Sequence, residues 1–497
     1  MKIYIKTLGC PKNFNDSQAA AGILEAAGHF IAEDPEDADA VMVNTCGFIN
    51  DAKKESIEAV FDMARITSGC SSSDNSGGEG CGRKLLIVSG CLSQRYGKEL
   101  FAEMPEADVF LGVNDYSRLP QILAEYENSA GSSDGRKITR KKFLSEYSLG
   151  CDPDGYRKLG NDVYSSTIKI AEGCNNRCAY CVIPQIRGPY RSRPEDDIIR
   201  EARELAAAGC RELIIIAQDT TAYGMDTGSG AEKHEAHKAD DPAGTAENSP
   251  YRLAGLLRKL CRIGGIEWIR IMYAYEDRIN DELIEVMASE PKICNYLDIP
   301  LQHCSDRILR AMDRRSTKAS IEKTLTKLRT AMPDIHIRTT LITGFPGETE
   351  EDFEELLDFV AEQHFDRLGV FAYSAEENTP AAEMAAQVAE EVKEQRKDAV
   401  MRRQMEISLA ANRRAIGQVC EVMVDGRDDD DSDDADSVPE HGNGEIWLYR
   451  GRTRYDAPEI DDEVIIQTDR RHNRGDIIKV RITDAFDYDL TGREVQQ

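Results

Sequence analysis

Cys174-Asn-Asn-Arg-Cys178-Ala-Tyr-Cys181 is the stretch that decides the fold, and it follows an apolar run that predicts a β-strand. Three cysteines this close together can direct their thiolates at one iron–sulfur cluster, because thiolates are the usual ligands of such clusters. Three thiolates leave one iron of a four-iron cluster without a protein ligand, and an open coordination position is typical of catalytic metal sites. The alternatives are a zinc site and unrelated thiols of the protein core, but no fourth Cys or His stands at zinc spacing. The stretch therefore favours a catalytic iron–sulfur cluster.

The triplet resembles the CxxxCxxC signature of radical S-adenosylmethionine enzymes. In that family the open iron binds the amino and carboxylate groups of S-adenosylmethionine, and an electron from the cluster cleaves it to a 5′-deoxyadenosyl radical. That radical abstracts hydrogen from an unactivated carbon. The resemblance implies a 4Fe-4S cluster on Cys174, Cys178 and Cys181, S-adenosyl-L-methionine as the radical source, and an electron donor such as flavodoxin or ferredoxin.

The segment around the triplet, residues 163–398, alternates predicted strands with predicted helices. Six strands of this kind indicate a partial TIM-like (β/α)6 barrel with its chemistry at the carboxyl ends of the strands. The predicted strands lie before Cys174 and at 212–218, 268–274, 296–302, 335–343 and 367–373. The cysteine loop follows the first of them.

Several residues near the predicted strand ends are candidate contacts for S-adenosylmethionine. The turn Gly344-Phe-Pro-Gly-Glu348 ends the fifth strand, and the resemblance places it against the cofactor. Gln218 and Arg270 also lie near strand ends, and Tyr180 precedes the last cysteine of the triplet. Each of these residues could equally have a structural role, and Glu348 could simply lie in the first turn of a helix.

The first segment, residues 1–126, also alternates strands and helices, which predicts an α/β domain with a parallel sheet. Asp16 is a candidate cap for its first helix. Cys10, Cys46 and Cys91 each follow a predicted strand, and the carboxyl ends of parallel strands share one edge of a sheet. The three thiols could therefore hold a second cluster with one open iron. The alternative is that Cys46 and Cys91 are small buried hydrophobic residues.

The remaining segments contain linkers and a third domain. The Gly- and Ser-rich stretch around Cys70 and Cys81 has no periodicity and predicts a surface loop, so its two cysteines are weaker candidates as ligands. Residues 127–162 form a predicted linker and residues 399–414 a linking helix. Residues 415–497 contain short strands separated by turn signals, as in a small antiparallel β-barrel.

Composition limits the partners of the chain. With 41% hydrophobic and 31% charged residues and no long apolar run, it is typical of a cytoplasmic globular protein without a membrane span, and a monomer is the default. The formal net charge of −28 argues against general affinity for nucleic acids and favours a basic partner. Fourteen cysteines without a targeting signal favour metal binding over disulfides.

The three parts together resemble the methylthiotransferases, which combine a three-cysteine domain, a radical S-adenosylmethionine barrel and a small carboxy-terminal barrel called TRAM. Five motifs are similar to the branch that modifies a ribosomal protein, whereas the transfer-RNA branch typically has Gln-Met in place of Pro11-Lys12. These motifs are Gly9–Asn13, Asp16-Ser17, Ile183–Arg193, Ala217–Gly224 and Asp456–Ile460. Insertions at about 68–83, 226–248 and 428–442 depart from the family pattern.

The charge of the last domain agrees with the ribosomal-protein branch. Residues 415–497 contain 10 basic and 22 acidic residues, a net charge of −12, where an RNA-binding barrel would carry excess Lys and Arg. Arg450, Arg452 and Arg454 form a predicted local basic patch that leaves room for some RNA contact.

The resemblance implies that the enzyme places a methylthio group on the beta carbon of an aspartate in ribosomal protein uS12, either free or within the small subunit. It implies two 4Fe-4S clusters, the second on Cys10, Cys46 and Cys91, and a second S-adenosylmethionine as methyl donor. No catalytic residue beyond the two clusters is required. Two other hypotheses remain: a transfer-RNA adenosine methylthiotransferase, and a non-enzymatic iron–sulfur carrier or redox sensor.

Overall fold

The computed structural model describes residues 1–68, 83–129, 140–145, 157–158, 163–226, 252–428 and 446–495 of the 497-residue chain. The chain divides into two compact units. The first contains Met1–Gly160, Glu172–Asn176 and Cys181–Arg193, and the second contains Asn161–Ala171, Arg177–Tyr180 and Pro194–Gln497. The predicted loop with Cys70 and Cys81, and most of the residues in the linker and the three insertions, lie outside the described residues.

The first unit contains a six-stranded parallel sheet in the order β2-β1-β3-β4-β5-β6. The strands are β1 (Lys2–Thr7), β2 (Phe30–Ala32), β3 (Ala40–Thr45), β4 (Leu85–Gly90), β5 (Val109–Leu111) and β6 (Lys141–Phe143). The helices are α1 (Pro11–Ala26), α2 (Asn50–Thr67), α3 (Cys91–Glu103) and α4 (Leu119–Ser129). Strands β3 and β4 are buried along their whole length, because α1 and α4 cover one face and α2 and α3 the other.

The first helix begins earlier than the sequence predicts. Cys10 is the residue before α1 and Pro11 is its first helical residue, a position where the missing amide hydrogen of proline costs no hydrogen bond. The prediction that Asp16 caps this helix is wrong, because Asp16 lies inside α1 and is buried. Strands β2 and β6 are not predicted from the sequence, because three residues are too few to show an alternating pattern.

Short elements flank the cysteine loop. A two-stranded sheet pairs β8 (Ala171–Glu172) with β9 (Arg191–Ser192), and the five-residue helix α5 (Ile183–Arg187) lies between them in the chain. The loop contributes to both units: Cys174 and Cys181 belong to the first, and Cys178 to the second.

The second unit begins with a six-stranded parallel sheet whose order, β14-β13-β12-β11-β10-β7, follows the chain without closing. This order confirms the predicted partial barrel. The strands are β7 (Ser165–Lys169), β10 (Glu212–Ile216), β11 (Trp268–Ile271), β12 (Ile293–Gln302), β13 (His336–Thr343) and β14 (Arg367–Ala372). The helices are α6 (Glu195–Ala207), α7 (Arg252–Cys261), α8 (Asp281–Ser289), α9 (Asp306–Ala311), α10 (Lys318–Ala331), α11 (Glu350–Gln363) and α12 (Glu390–Ala415).

The second unit ends with a closed five-stranded barrel in the order β15-β16-β17-β19-β18. Its strands are β15 (Val419–Arg427), β16 (Trp447–Thr453), β17 (Val464–Thr468), β18 (Ile477–Ala485) and β19 (Leu490–Glu494). All neighbouring pairs are antiparallel except β17 and β19, which are parallel. The sequence predicts the small barrel but not its last strand.

The segment between β16 and β17, residues 454–463, joins this barrel to the amino-terminal ends of the parallel strands. Asp456 accepts a hydrogen bond of 2.5 Å from Arg367, the first residue of β14. Asp461 lies 3.1 Å from Nε of Arg338 on β13 and accepts a hydrogen bond from the Tyr296 hydroxyl on β12. The active rim of such a sheet is at its other end, so this junction is structural.

The predicted basic patch on Arg450, Arg452 and Arg454 is wrong for two of its three members. Arg452 is buried and lies 2.6 Å from Glu212 and 3.1 Å from Asp425. Arg454 donates hydrogen bonds to the backbone carbonyls of residues 291 and 293. Both guanidinium groups therefore bind partners within the protein instead of forming an exposed patch.

No helix within the described ranges has both the length and the apolar character that crossing a membrane requires.

Candidate metal centres

The three strand-end cysteines lie at adjacent positions in the first sheet. Cys10 follows β1, Cys46 follows β3 and Cys91 is the first residue of α3, directly after β4. Because β1, β3 and β4 are neighbours in a parallel sheet, all three residues lie at one edge. Cys46 and Cys91 are buried, and Cys10 is partly exposed.

The backbone brings these strand ends into close contact. A Cβ atom built on Gly9, the residue before Cys10, would lie 2.8 Å from Cys46 Cβ and 3.2 Å from its sulfur. A Cβ on Gly47 would lie 2.8 Å from the backbone of Leu92, the residue after Cys91. A side chain at position 9 or 47 would therefore collide with the neighbouring strand-end loop.

The three thiols also lie within electrostatic reach of one another. Burial raises the pKa of Cys91 to about 12, with Arg187 opposing this effect and Cys10 and Cys46 adding to it. Burial likewise raises the pKa of Cys46, again with a contribution from Cys10. Thiols held neutral by burial lose their protons when iron binds, because the metal supplies the missing positive charge.

The donor set fits a cluster better than a single ion. Among the described residues, no group of three or more His, Cys, Asp or Glu side chains is arranged to hold one metal ion. In an iron–sulfur cluster each thiolate binds a different iron, so its ligands are spaced more widely than those of a zinc ion. Three neighbouring soft thiols with no histidine or carboxylate completing the set match that requirement.

Arg187 is a residue of this region that sequence reasoning did not select. Its guanidinium is buried and donates through Nη2 to Cys91 Sγ at 3.3 Å and to Asn13 Oδ1 at 2.8 Å. Through Nη1 it pairs with Asp16 at 2.6 Å and with Glu172 at 3.3 Å. The sequence motif Ile183–Arg193 contains Arg187, but its partners at positions 13, 16 and 91 are far away in the chain.

The radical S-adenosylmethionine triplet lies in a loop fixed by backbone and side-chain contacts. Cys174 and Cys178 are buried, and Cys181 is partly exposed. The Cys174 amide donates to the Gly188 carbonyl at 3.0 Å, and the Ile183 amide donates to Cys181 Sγ at 3.5 Å. The cysteine loop is therefore hydrogen-bonded to both ends of the α5 segment.

Tyr275 is a second residue that the sequence did not reveal. Its hydroxyl lies 3.6 Å from Cys178 Sγ, and the Arg314 guanidinium lies 4.7 Å from its ring centre. Arg314 is held in turn by Glu276 at 2.5 Å, and both are buried. Tyr275-Glu276 belongs to none of the motifs identified in the sequence, so no local signal pointed to this contact.

The turn Gly344–Glu348 has structural partners. Glu348 is buried, accepts hydrogen bonds from the Gly344 and Phe345 amides at 2.9 and 3.3 Å, and pairs with Arg396 of α12 at 2.8 Å. Gly344 has a φ of +70°, and a Cβ there would overlap the Lys393 side chain. The Glu348 carboxylate therefore shapes the turn, and the absence of a side chain on Gly344 leaves room for α12.

The structure also places the other three predicted cofactor contacts. Arg270 is fully buried, pairs with Glu212 at 2.9 Å and donates to the backbone carbonyl of residue 454. Gln218 lies two residues beyond β10, at the carboxyl end of the strand, and is partly exposed. Tyr180 packs beside the buried cluster that contains Phe345. The assignment of Tyr180, Gln218, Arg270, Gly344 and Glu348 to S-adenosylmethionine binding stays a prediction.

Comparisons with known proteins place the chain in a family. Residues 2–112 match the uncharacterized protein family UPF0004, residues 168–360 the radical SAM superfamily, and residues 416–495 the TRAM domain. Two proteins named ribosomal protein uS12 methylthiotransferase RimO are similar over nearly their whole length. The protein from Geotalea uraniireducens is 42% identical over 99% of this chain and 98% of its own. The protein from Geobacter sulfurreducens is 44% identical with the same coverage.

The chain belongs to the RimO family. It is therefore an enzyme of the radical S-adenosylmethionine transferase class that uses S-adenosylmethionine and 4Fe-4S clusters, as the resemblance implied. A solved radical S-adenosylmethionine methyltransferase, TsrM from Kitasatospora setae, shares the fold with a TM-score of 0.51 at 13% identity, covering 84% of this chain and 80% of its own. The predicted fold class is confirmed, and the domain boundaries stay predictions.

Proposed function

We propose that this RimO family member replaces one hydrogen on the beta carbon of an aspartate in ribosomal protein uS12 with a methylthio group. The relatives named above carry this substrate in their names. The charge of the chain supports the same partner, because a net charge of −28 attracts a basic ribosomal protein and repels an RNA backbone.

The observation that carries the proposal is the second set of cysteines. Hydrogen abstraction requires only the cluster held by the triplet, whereas insertion of sulfur requires a site that presents it. Cys10, Cys46 and Cys91 lie at one edge of the sheet, at the ends of three neighbouring strands. A three-thiol set leaves one iron without a protein ligand, where a sulfur atom can be bound.

Cys174, Cys178 and Cys181 would hold one cluster, and Cys10, Cys46 and Cys91 the other. When bound, the two clusters and two molecules of S-adenosylmethionine supply the electron, the radical, the sulfur and the methyl group. The chain's own residues position these groups and exclude water. Burial of Cys46, Cys91, Cys174 and Cys178 places most of the ligands away from solvent.

The finer assignments are proposals as well. We propose Tyr180, Gln218, Arg270, Gly344 and Glu348 as contacts of S-adenosylmethionine. We also propose an electron donor such as flavodoxin or ferredoxin, and a monomer acting in the cytoplasm. The substrate is free uS12 or uS12 within the small subunit.

The test is the intact mass of uS12 from cells with and without this gene, with fragmentation to locate any change. A gene-dependent replacement of one hydrogen by a methylthio group on an aspartate supports the proposal, and complementation with Cys174→Ala or Cys10→Ala should not restore it. An unchanged uS12 mass overturns the proposed substrate. If transfer RNA from the same cells then lacks a methylthio-adenosine, the protein acts on RNA instead.

A further inference from the structure

Arg187 has an arrangement of partners that a purely structural arginine does not need. A buried guanidinium must be compensated by partners, because moving its charge out of water is unfavourable. Asp16 and Glu172 supply carboxylate oxygens at 2.6 and 3.3 Å, and Asn13 supplies an amide oxygen at 2.8 Å. Another N–H of the guanidinium points to Cys91 Sγ at 3.3 Å. A cationic donor is thereby placed against a sulfur atom of the proposed ligand set.

The element that carries Arg187 directly follows the cysteine triplet in the chain. Helix α5 begins two residues after Cys181 and ends at Arg187. Val182 and Ile186, from the same short segment, pack against Cys91 in one buried apolar cluster. The segment that follows the triplet therefore touches Cys91 both through apolar side chains and through a charged donor.

We infer that Arg187 is a positioning residue for the cluster on Cys10, Cys46 and Cys91, holding the Cys91 thiolate by an N–H···S hydrogen bond and raising the reduction potential of that cluster. Hydrogen bonds to sulfur favour the reduced, more negative state of an iron–sulfur cluster. Asn13 fixes the guanidinium on the cysteine side, since its own amide donates to the carbonyls of Leu8 and Thr45 at 2.9 and 3.1 Å. This inference rests on the ligand set of the proposed function.

The experiment uses the full-length protein with Cys174→Ala, Cys178→Ala and Cys181→Ala combined, so that only the cluster at the strand ends is present. Iron per chain and the midpoint potential, followed by electron paramagnetic resonance, are measured for this background and for Arg187→Gln and Arg187→Lys added to it. Arg191→Gln is the matched control, because Arg191 donates to the backbone carbonyl of Pro189 at 3.0 Å.

A more negative potential in Arg187→Gln, a smaller shift in Arg187→Lys and no shift in Arg191→Gln support the inference. Loss of iron from a folded Arg187→Gln protein, with iron retained in Arg187→Lys, supports it too, because Cys91 is then no longer held. Full iron and an unchanged potential in Arg187→Gln overturn it. If the glutamine variant does not fold, an unchanged potential in Arg187→Lys overturns it.

Cys91→Ala in the same background separates this inference from the proposed function. If Cys91→Ala keeps all its iron, the proposed ligand set is wrong. If Cys91→Ala loses iron while both Arg187 variants keep the original potential, the ligand set stands and only the role of Arg187 fails.

Discussion

The candidate site formed by Cys10, Cys46 and Cys91 requires glycine at positions 9 and 90. Each precedes a proposed ligand, and each has a left-handed backbone, with φ of +93° and +94°. A Cβ atom on Gly90 would overlap Asn44 Oδ1 and the carbonyl oxygen of Thr45 at the end of β3. A side chain there would force β3 and β4 apart, and Cys46 and Cys91 with them.

Gly90→Ala should therefore lower iron content as well as stability. We expect the variant to lose about half of its iron, since one of the two clusters is affected. Gly28→Ala is the matched control: Gly28 has a φ of +86°, and a Cβ placed on it would meet nothing within 4 Å, so only the left-handed strain of about 1–2 kcal/mol applies. Iron analysis and thermal unfolding give the comparison. Equal iron in both variants would contradict the close-approach explanation.

Glu348→Gln tests the structural role of the turn after β13. The change leaves the buried Arg396 guanidinium without its buried carboxylate partner, so we expect a loss of about 2 kcal/mol or more in the free energy of unfolding. Glu350→Gln is the control, because Glu350 also pairs with Arg396, at 2.9 Å, but is 66% exposed. Its loss should stay within about 0.5 kcal/mol. Similar losses in the two variants would contradict the burial argument.

The segment between β16 and β17 joins the small barrel to the parallel sheet. It contains more carboxylates than the nearby arginine side chains can neutralise. Arg367 binds Asp456 at 2.5 Å and also lies 3.1 Å from Asp462. Burial raises the pKa of Asp462 to about 7, and the charges of Asp456 and Asp461 add to this against the opposing effect of Arg367. The Asp462 carboxyl is therefore protonated in the folded protein below about pH 7.

This carboxyl should make the stability of the protein fall as pH rises. In the unfolded chain Asp462 ionises near its usual pKa of 3.8, whereas the folded protein keeps the proton up to about pH 7. The stabilisation it gives is thus present at low pH and is lost as pH rises through about 7. Urea unfolding at pH 5 and pH 8 measures the effect.

Asp462→Asn should reduce the loss of stability between pH 5 and pH 8 by about 1–2 kcal/mol. Asp469→Asn, which changes an exposed aspartate of the same barrel, should leave that loss as it is in the unchanged protein. Identical pH dependence in the protein with and without Asp462 would mean that this carboxyl does not titrate as described.

The longer elements of the fold are predictable because their sequences carry strong patterns. Buried strands such as β3 and β4 are continuous apolar runs, and the strand-helix alternation of 163–398 is enough to specify a parallel sheet. The strands β6 (Lys-Lys-Phe) and β19 (Leu-Thr-Gly-Arg-Glu) each contain one apolar residue, and β2 is three residues long, so none of them shows a clear strand pattern. The start of α1 is missed because Asp16 is a plausible helix cap in the sequence. In the structure its carboxylate is buried and pairs with Arg187 instead of capping the helix.

The candidate centres are predictable only where their residues follow local patterns. Cysteine spacing selects the triplet, and position after a strand selects Cys10, Cys46 and Cys91. Arg187 and Tyr275 are not predictable, because their contacts with Cys91 and Cys178 join residues 96 and 97 positions apart. Such contacts depend on tertiary packing, which a single sequence does not display.

The whole chain combines two three-cysteine sets with a strongly acidic composition, and we assign these features to separate tasks. The triplet at 174–181 serves cleavage of S-adenosylmethionine, and the strand-end set serves the supply of sulfur. The charge of −28 serves attraction of a basic protein substrate, so binding of that substrate should weaken as salt is added.

The most direct test of this division of tasks measures two products in one reaction. Reduced protein is incubated with S-adenosylmethionine and uS12, and 5′-deoxyadenosine and methylthio-modified uS12 are quantified for the unchanged protein, Cys46→Ala and Cys178→Ala. We predict both products for the unchanged protein, 5′-deoxyadenosine without modified uS12 for Cys46→Ala, and neither product for Cys178→Ala. Modified uS12 formed by Cys46→Ala would contradict the assignment of the strand-end cysteines to sulfur transfer.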